Sequence, residues 1–182
     1  MDKAVFFDRD GTLNRDDGYT YKTQSFKLLP GVIGALKLLK NNFKFFIVTN
    51  QSGVGRGYYT LDDVHKFNEK MIKELEKHDI AIKRVYICPH HPDETCECRK
   101  PGTKYIKDAK KEFNLDLKNS WTIGDHPHDV EMGKNAGCKT VYLLTGHGEK
   151  HKKELDGKGI KPDFISKNIH EAAKFIIKNS PE

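Results

Sequence analysis

Short apolar runs alternate along the chain with longer stretches in which apolar residues recur every three or four positions. The apolar runs predict β-strands at about 4–7, 44–48, 84–88, 119–123 and 140–144, with a short one near 163–165. The helical spacing predicts helices at about 31–41, 61–78, 102–113, 128–136 and 168–178. Strands that recur after single helices indicate an α/β fold with a doubly wound, mostly parallel sheet and right-handed crossovers.

Local signals refine these boundaries at a few positions. Pro30-Gly31 precedes the first predicted helix, and Thr60 can cap the second, where Asp62 and Asp63 suit a helix N-terminus. The segment 146–161 is rich in Gly, Lys and His, and is predicted to be a surface connection without regular structure.

Length and charge limit the classes of function. The 182 residues predict one domain, 1–182, large enough to bury a core. The sequence has no stretch of about 18 consecutive apolar residues, so no membrane span is predicted. No leader sequence is visible, which favours the cytoplasm. The net charge of +6 comes from lysines interleaved with acids. This pattern favours solvated helix faces and attraction for a phosphorylated substrate over nucleic-acid binding.

The junction after the first strand is the strongest candidate for chemistry. Asp8-Arg9-Asp10-Gly11 directly follows the apolar run at 4–7, which places two carboxylates at the edge of the sheet where α/β folds bind ligands. Two carboxylates can share Mg²⁺, and one can attack phosphorus while the other handles the proton of the leaving group. An Asp- and Gly-rich turn without a catalytic role is the alternative that the local sequence leaves open.

A second cluster, at 88–98, has the composition of a metal site. Three thiols and an imidazole, Cys88, His90, Cys96 and Cys98, follow the spacing C-x-H-x5-C-x-C. Cys3His sets bind structural Zn²⁺ with no position left for water, whereas disulfides are not expected in the cytoplasm. His91 could replace His90 as a ligand, and Cys138 is expected to be a buried small hydrophobic residue.

Four motifs in order resemble those of the haloacid dehalogenase (HAD) superfamily of aspartate-nucleophile phosphohydrolases. D-x-D-G-T-L at 8–13 resembles motif I, and Phe45 to Asn50, a strand that ends in Thr49-Asn50, resembles motif II. Arg99-Lys100-Pro101 resembles the motif III lysine, and Gly124-Asp125 followed by Asp129 resembles the acidic motif IV. The resemblance implies a Rossmann-like core. Only about 35 residues separate Asp10 from the second predicted strand, which is typical of a capless member, and a monomer is expected.

The cysteine loop resembles one branch of this superfamily, which contains heptose bisphosphate phosphatases and histidinol phosphatases. The segments 16–19 and 49–57 resemble the heptose enzymes, which favours loss of the 7-phosphate from D-glycero-D-manno-heptose 1,7-bisphosphate. The five-residue gap between His90 and Cys96 resembles the histidinol enzymes instead. Histidinol phosphate, a nucleic-acid 3′-phosphate, and a non-catalytic phosphate- or partner-binding module are the alternatives.

The resemblance also implies a role for each residue of the site. Asp8 would be the nucleophile and Asp10 the general acid and base, while Thr49, Asn50 and Lys100 would stabilise the phosphoryl oxygens. Mg²⁺ would be bound by Asp8, the backbone carbonyl of Asp10 and Asp125, with Asp129 holding the water shell of the ion or orienting a loop. The sugar phosphate would contact Asp16, Asp17, Gly18, Tyr19, Asn50, Gln51, Ser52, Arg56 and Arg99. His126 is a departure, since many members of the branch have Lys or Arg there.

Overall fold

A computed structural model describes residues 1–180. The strands are β1 (Ala4–Phe7), β2 (Lys44–Asn50), β3 (Ile82–Cys88), β4 (Trp121–Gly124), β5 (Lys139–Leu143) and β6 (Phe164–Ser166). The helices are α1 (Val32–Leu39), α2 (Ser52–Gly55), α3 (Leu61–Glu76), α4 (Lys104–Phe113), α5 (Pro127–Ala136), α6 (Gly148–Gly157) and α7 (Ile169–Lys178). The six strands form one sheet in the order β3-β2-β1-β4-β5-β6, and every pairing is parallel. The predicted α/β fold with a doubly wound sheet is confirmed.

The core lies on both faces of this sheet. All four residues of β1 are buried, as expected for a central parallel strand covered on both sides. One apolar cluster lies under α1, α3 and α7, and a second lies under α4 and α5. Because β1 and β4 are neighbours at the point where the strand order reverses, the carboxyl ends of β1, β2 and β4 meet at one edge.

Capping explains where α3 begins. The hydroxyl of Thr60 accepts a hydrogen bond from the backbone N–H of Asp63 at 3.1 Å, and the N–H of Thr60 donates to the Asp63 carboxylate at 2.9 Å. These reciprocal bonds satisfy two backbone donors that the first turn leaves free. The predicted cap at Thr60 is therefore confirmed.

The prediction of a surface connection at 146–161 is wrong, because residues 148–157 form α6. Leu155 of this helix is buried against Val130 and Tyr142, and the Tyr142 hydroxyl donates to the Gly148 carbonyl at 2.7 Å. The helical pattern was weak in the sequence since Leu155 is the one large apolar side chain that α6 buries. The single turn of α2 was also not predicted.

The carboxylate of Asp163, just before β6, accepts three hydrogen bonds. Thr140 donates its N–H and its hydroxyl to the Asp163 carboxylate at 2.7 and 2.9 Å, and Lys134 donates at 2.7 Å. Partial burial acts to raise the pKa of Asp163, but the hydrogen bonds from Lys134 and Thr140 outweigh it and hold the pKa below its usual value.

The connections around the site are short. Between Phe7 and Lys44 the described chain makes one 3-10 turn and α1, so the loop that follows motif I carries no inserted domain. Within residues 1–180, none of the helices combines the length and the apolar character needed to cross a membrane.

Candidate active site

A cavity of about 330 Å³ opens at the carboxyl edge of β1, β2 and β4. Its lining includes twelve of the residues with a predicted role: Asp8, Asp10, Asp16, Tyr19, Thr49, Asn50, Gln51, Ser52, Arg99, Lys100, Asp125 and Asp129. Tyr59, His126, His128 and His147 complete the wall. Residues from five separate parts of the chain, 8–19, 49–59, 99–100, 125–129 and 147, therefore converge on one pocket.

Lys100 brings a buried cation into this pocket. Its ammonium lies 2.6 Å from an oxygen of Asp8 and 2.6 Å from an oxygen of Asp129, and its side chain is 5% exposed. Burial acts to lower the pKa of Lys100, but the carboxylates of Asp129 and Asp8 outweigh it and raise the pKa. The ammonium stays charged and pairs with both carboxylates. The N–H of Lys100 also donates to the side-chain oxygen of Asn50 at 3.1 Å.

Asp10 receives hydrogen bonds from several side chains. Arg9 donates to both carboxylate oxygens, at 3.0 and 2.8 Å, and Asn14 donates to Oδ1 at 2.9 Å. Gln51 donates to Oδ2 at 2.8 Å and to the hydroxyl of Thr49 at 2.8 Å. The hydroxyl of Tyr59 donates to the amide oxygen of Gln51 at 2.8 Å, which fixes the orientation of that amide.

Gly11 explains how Asp125 comes so close to the first loop. A Cβ atom at Gly11 would lie 2.2 Å from the Oδ2 atom of Asp125, and the φ angle of Gly11 is +78°. Only glycine fits both the close approach and the left-handed backbone. The same Oδ2 atom accepts a hydrogen bond from the backbone N–H of His147 at 2.7 Å. This packing holds Asp125 beside the carboxylates of motif I.

Three buried carboxylates could hold a hard divalent cation. Oxygens of Asp8, Asp125 and Asp129 lie within 4.8 Å of one another. Burial raises the pKa of Asp8 to about 7 despite the charge of Lys100, and burial and the charge of Asp8 raise the pKa of Asp125 to about 8. Buried carboxylates this close repel one another, and a cation with oxygen ligands would relieve that repulsion. The donor set fits Mg²⁺.

The cysteine loop has the geometry of a tetrahedral zinc site. Cys88 Sγ lies 3.7 Å from Cys96 Sγ and 3.6 Å from the Nδ1 atom of His90, and Cys98 Sγ lies 3.2 Å from that same atom. A tetrahedron with Zn–S bonds of about 2.3 Å has edges of about 3.8 Å, so these separations fit one ion. His90 joins the cysteines, whereas the Nδ1 atom of His91 accepts from the N–H of Asp93 at 3.2 Å. Cys138 is buried away from this group, as predicted.

Three predicted substrate residues are not part of the pocket lining. Arg56 is exposed at the end of α2, and Asp17 forms an exposed ion pair with Arg15 at 2.7 Å. Gly18 lies in a bend directly after Asp17, with a φ angle of +75°. Their contact with substrate stays a prediction.

Sequence reasoning noted His126 only as a departure from the branch, without a role, and did not single out Tyr59, His128 or His147 on the rim of the pocket. His126 caps α5, since its Nδ1 atom accepts from the N–H of His128 at 3.2 Å, and its ring lies 4.7 Å from the ring of His151. Burial, followed by the charge of His128, lowers the pKa of His126 to about 4. The imidazole Nε2 atom of His147 lies 3.1 Å from Asp16. No sequence motif marked His147 as a site residue. It lies directly before α6, and the position of that helix brings it to the pocket.

Comparison with known proteins bears on this site. Residues 97–172 match the family model described as HAD-hydrolase-like. A D-glycero-alpha-D-manno-heptose-1,7-bisphosphate 7-phosphatase from Campylobacter jejuni is 44% identical over 155 residues, which cover 85% of this chain and 87% of the relative. A D-glycero-beta-D-manno-heptose-1,7-bisphosphate 7-phosphatase from Haemophilus influenzae is 40% identical over 162 residues, covering 82% and 88%. The chain belongs to the HAD-like heptose bisphosphate phosphatase family.

A solved structure of this family agrees with the fold. The D,D-heptose 1,7-bisphosphate phosphatase from B. bronchiseptica, complexed with magnesium and phosphate, superposes with a TM-score of 0.87. The match has 27% sequence identity and covers 98% of this chain and 99% of that one. The predicted membership of the HAD superfamily, within its heptose phosphatase branch, is therefore confirmed.

Proposed function

We propose that the protein removes the 7-phosphate from D-glycero-D-manno-heptose 1,7-bisphosphate. The observation that carries this proposal is the combination of relatives named for that activity, which match over four-fifths of the chain, with a pocket that brings Asp8, Asp10 and Lys100 together. A non-catalytic binding module would have no need of a second acid beside the first.

The residues provide a two-step hydrolysis. An oxygen of Asp8 attacks phosphorus, the bond between phosphorus and the C7 oxygen breaks, and Asp10 gives a proton to that oxygen. Asp10 then takes a proton from water, whose oxygen attacks the phosphorus of the aspartyl phosphate and releases Asp8. Lys100, Thr49 and the backbone near Asn50 stabilise the negative charge on the phosphoryl oxygens.

Mg²⁺ is the proposed cofactor, bound in the pocket. Asp8, the backbone carbonyl of Asp10 and Asp125 would hold the ion, and Asp129 would hold its water shell while it pairs with Lys100. When bound, the ion supplies positive charge that offsets the repulsion between the carboxylate nucleophile and the phosphate.

Arg99 is the best-placed group for the second phosphate of the substrate. It lines the pocket beside Lys100, and its buried Nη1 atom has no hydrogen-bond partner among the described residues. A buried guanidinium donor without a partner is costly, and a phosphate oxygen would satisfy it. Asp16, Tyr19 and Ser52, which line the same pocket, would contact the sugar.

Zn²⁺ would act through structure rather than chemistry. Cys98 lies directly before Arg99, so an ion bound by the cysteine loop would fix the backbone that presents Arg99 and Lys100. We further propose that the protein is a single-domain monomer of the cytoplasm and that it binds neither nucleic acid nor membranes.

The test is phosphate release with Mg²⁺ from heptose 1,7-bisphosphate, fructose 1,6-bisphosphate and histidinol phosphate, compared by kcat/KM. We expect the heptose compound to be preferred, with heptose 1-phosphate as the product in ³¹P NMR. Histidinol phosphate is the second candidate, because the gap of five residues between His90 and Cys96 resembles the enzymes that hydrolyse it. A preference for histidinol phosphate would overturn the assignment of substrate.

A further inference from the structure

Arg9 is a buried cation that no part of the proposed reaction uses. Its side chain is fully buried, and its Nε and Nη2 atoms donate to the two oxygens of Asp10 at 3.0 and 2.8 Å. Two parallel bonds from a planar guanidinium fix both the position and the plane of a carboxylate. Asp10 is 17% exposed toward the pocket, so Arg9 holds it from the protein side.

The guanidinium of Arg9 is itself held rigidly. Its Nη1 atom donates to the side-chain oxygen of Asn68 on α3 at 2.9 Å, and Nη2 also donates to the Thr20 carbonyl at 2.5 Å. The ring of Phe67 lies 4.5 Å from the guanidinium carbon. Arg9 therefore connects the acid of motif I to α3 and to the loop that carries Asp16 and Tyr19.

A second support reaches Asp10 from the pocket side. Gln51 donates to Oδ2 of Asp10 at 2.8 Å, and Tyr59 orients that glutamine through a bond of 2.8 Å. With Asn14, which donates to Oδ1 at 2.9 Å, three side chains hold this carboxylate. Stability alone would not require them, since a buried ion pair contributes little net stability compared with apolar packing. Fixing the geometry of a proton-transfer group is the role that this arrangement fits.

Building on the proposed function, we propose that Arg9 is a positioning residue for the reaction: it holds the Asp10 carboxylate where that group protonates the leaving oxygen. The size of the expected rate loss depends on how much the leaving group needs a proton. A sugar alkoxide needs a proton to depart, whereas p-nitrophenolate leaves readily without one. Loss of positioning should therefore slow alkyl phosphate hydrolysis far more than p-nitrophenyl phosphate hydrolysis.

The experiment compares kcat/KM for heptose 1,7-bisphosphate and p-nitrophenyl phosphate in the wild type, Arg9→Met and Arg9→Lys. This ratio of constants covers the steps up to release of the alcohol, so later hydrolysis of the aspartyl phosphate does not affect it. We expect Arg9→Met to lower kcat/KM about 100-fold for the heptose compound, mainly through kcat, and less than about fivefold for the nitrophenyl ester. Arg9→Lys should lie between the wild type and Arg9→Met.

Two further variants keep the test decisive. Leu36→Ala, a core substitution in α1 away from the pocket, should lower stability and affect both substrates equally. Asn68→Leu removes the side-chain oxygen that holds Nη1 of Arg9 and lies outside the pocket lining, so it should show the same selectivity as Arg9→Met, to a smaller extent, even if Arg9→Met fails to fold. Parallel losses on both substrates in the Arg9 and Asn68 variants would overturn the role of Arg9. A wild-type protein inactive on both substrates would overturn the proposed function first, and this proposal with it.

Discussion

Replacing Lys100 by methionine tests how strongly its charge stabilises the two buried carboxylates of the site. The ammonium of Lys100 lies 2.6 Å from both Asp8 and Asp129, and all three side chains are at most 11% exposed. Removing it leaves two buried carboxylates without their cation, and the expected cost is about 3–5 kcal/mol in the free energy of unfolding. Lys104→Met is the matched control. Its ion pair with Asp108, at 2.9 Å, is nearly half exposed on both sides and should cost about 0.3–0.5 kcal/mol.

The assay is urea unfolding of both variants at about pH 8 without added Mg²⁺, where Asp8, with its pKa near 7, is mostly ionised. In Lys100→Met the pKa of Asp8 rises further above its unfolded value, so native protein binds more protons than unfolded protein. The penalty should therefore shrink as the pH is lowered from about 8 toward 6. The same variant should lose about 100-fold or more in kcat. Equal costs for Lys100→Met and Lys104→Met would refute the reasoning.

Three other predictions concern separate parts of the molecule. Because the pKa of Asp163 is lowered in the fold, Asp163→Asn should cost about 1 kcal/mol above about pH 5, and urea titrations should show this difference vanish as the pH falls below about 4. Cys96→Ser should lose its zinc by atomic absorption and unfold at a lower temperature, whereas Cys138→Ala should keep the metal; equal zinc in both would contradict the assigned ligands. Gly11→Ala should abolish Mg²⁺-dependent turnover, while Gly137→Ala, which has a similar φ angle but an open Cβ position away from the pocket, should keep it. Loss of activity in both would point to backbone strain alone.

Much of the fold and of the catalytic core could be predicted because their signals are local. The run at 4–7 is apolar on both faces, which indicates a central parallel strand, and Asp8 and Asp10 follow it directly. The four candidate zinc ligands lie within eleven residues, so their spacing alone suggested a metal site. Motif order then implied that Lys100 and Asp125 come to the same edge.

What the sequence could not predict depends on packing between distant segments. The partner of Arg9 on α3 is Asn68, 59 positions away, and no local pattern links the two. The rim histidines come together only because α6 folds back against α5 and β5, and the sequence of α6 buries a single large apolar side chain. Arg56 shows the converse: its motif matched the family, yet it lies exposed outside the pocket lining.

The central claim is that Asp8 accepts the 7-phosphate of the substrate, and rapid acid quench with heptose 1,7-bisphosphate tests it most directly. Protein mixed with Mg²⁺ and substrate, quenched within the first turnover and digested, should carry one phosphate on the peptide that contains Asp8, and Asp8→Asn should carry none and release no phosphate. Full turnover by Asp8→Asn, or a phosphate found on a different residue, would contradict the account.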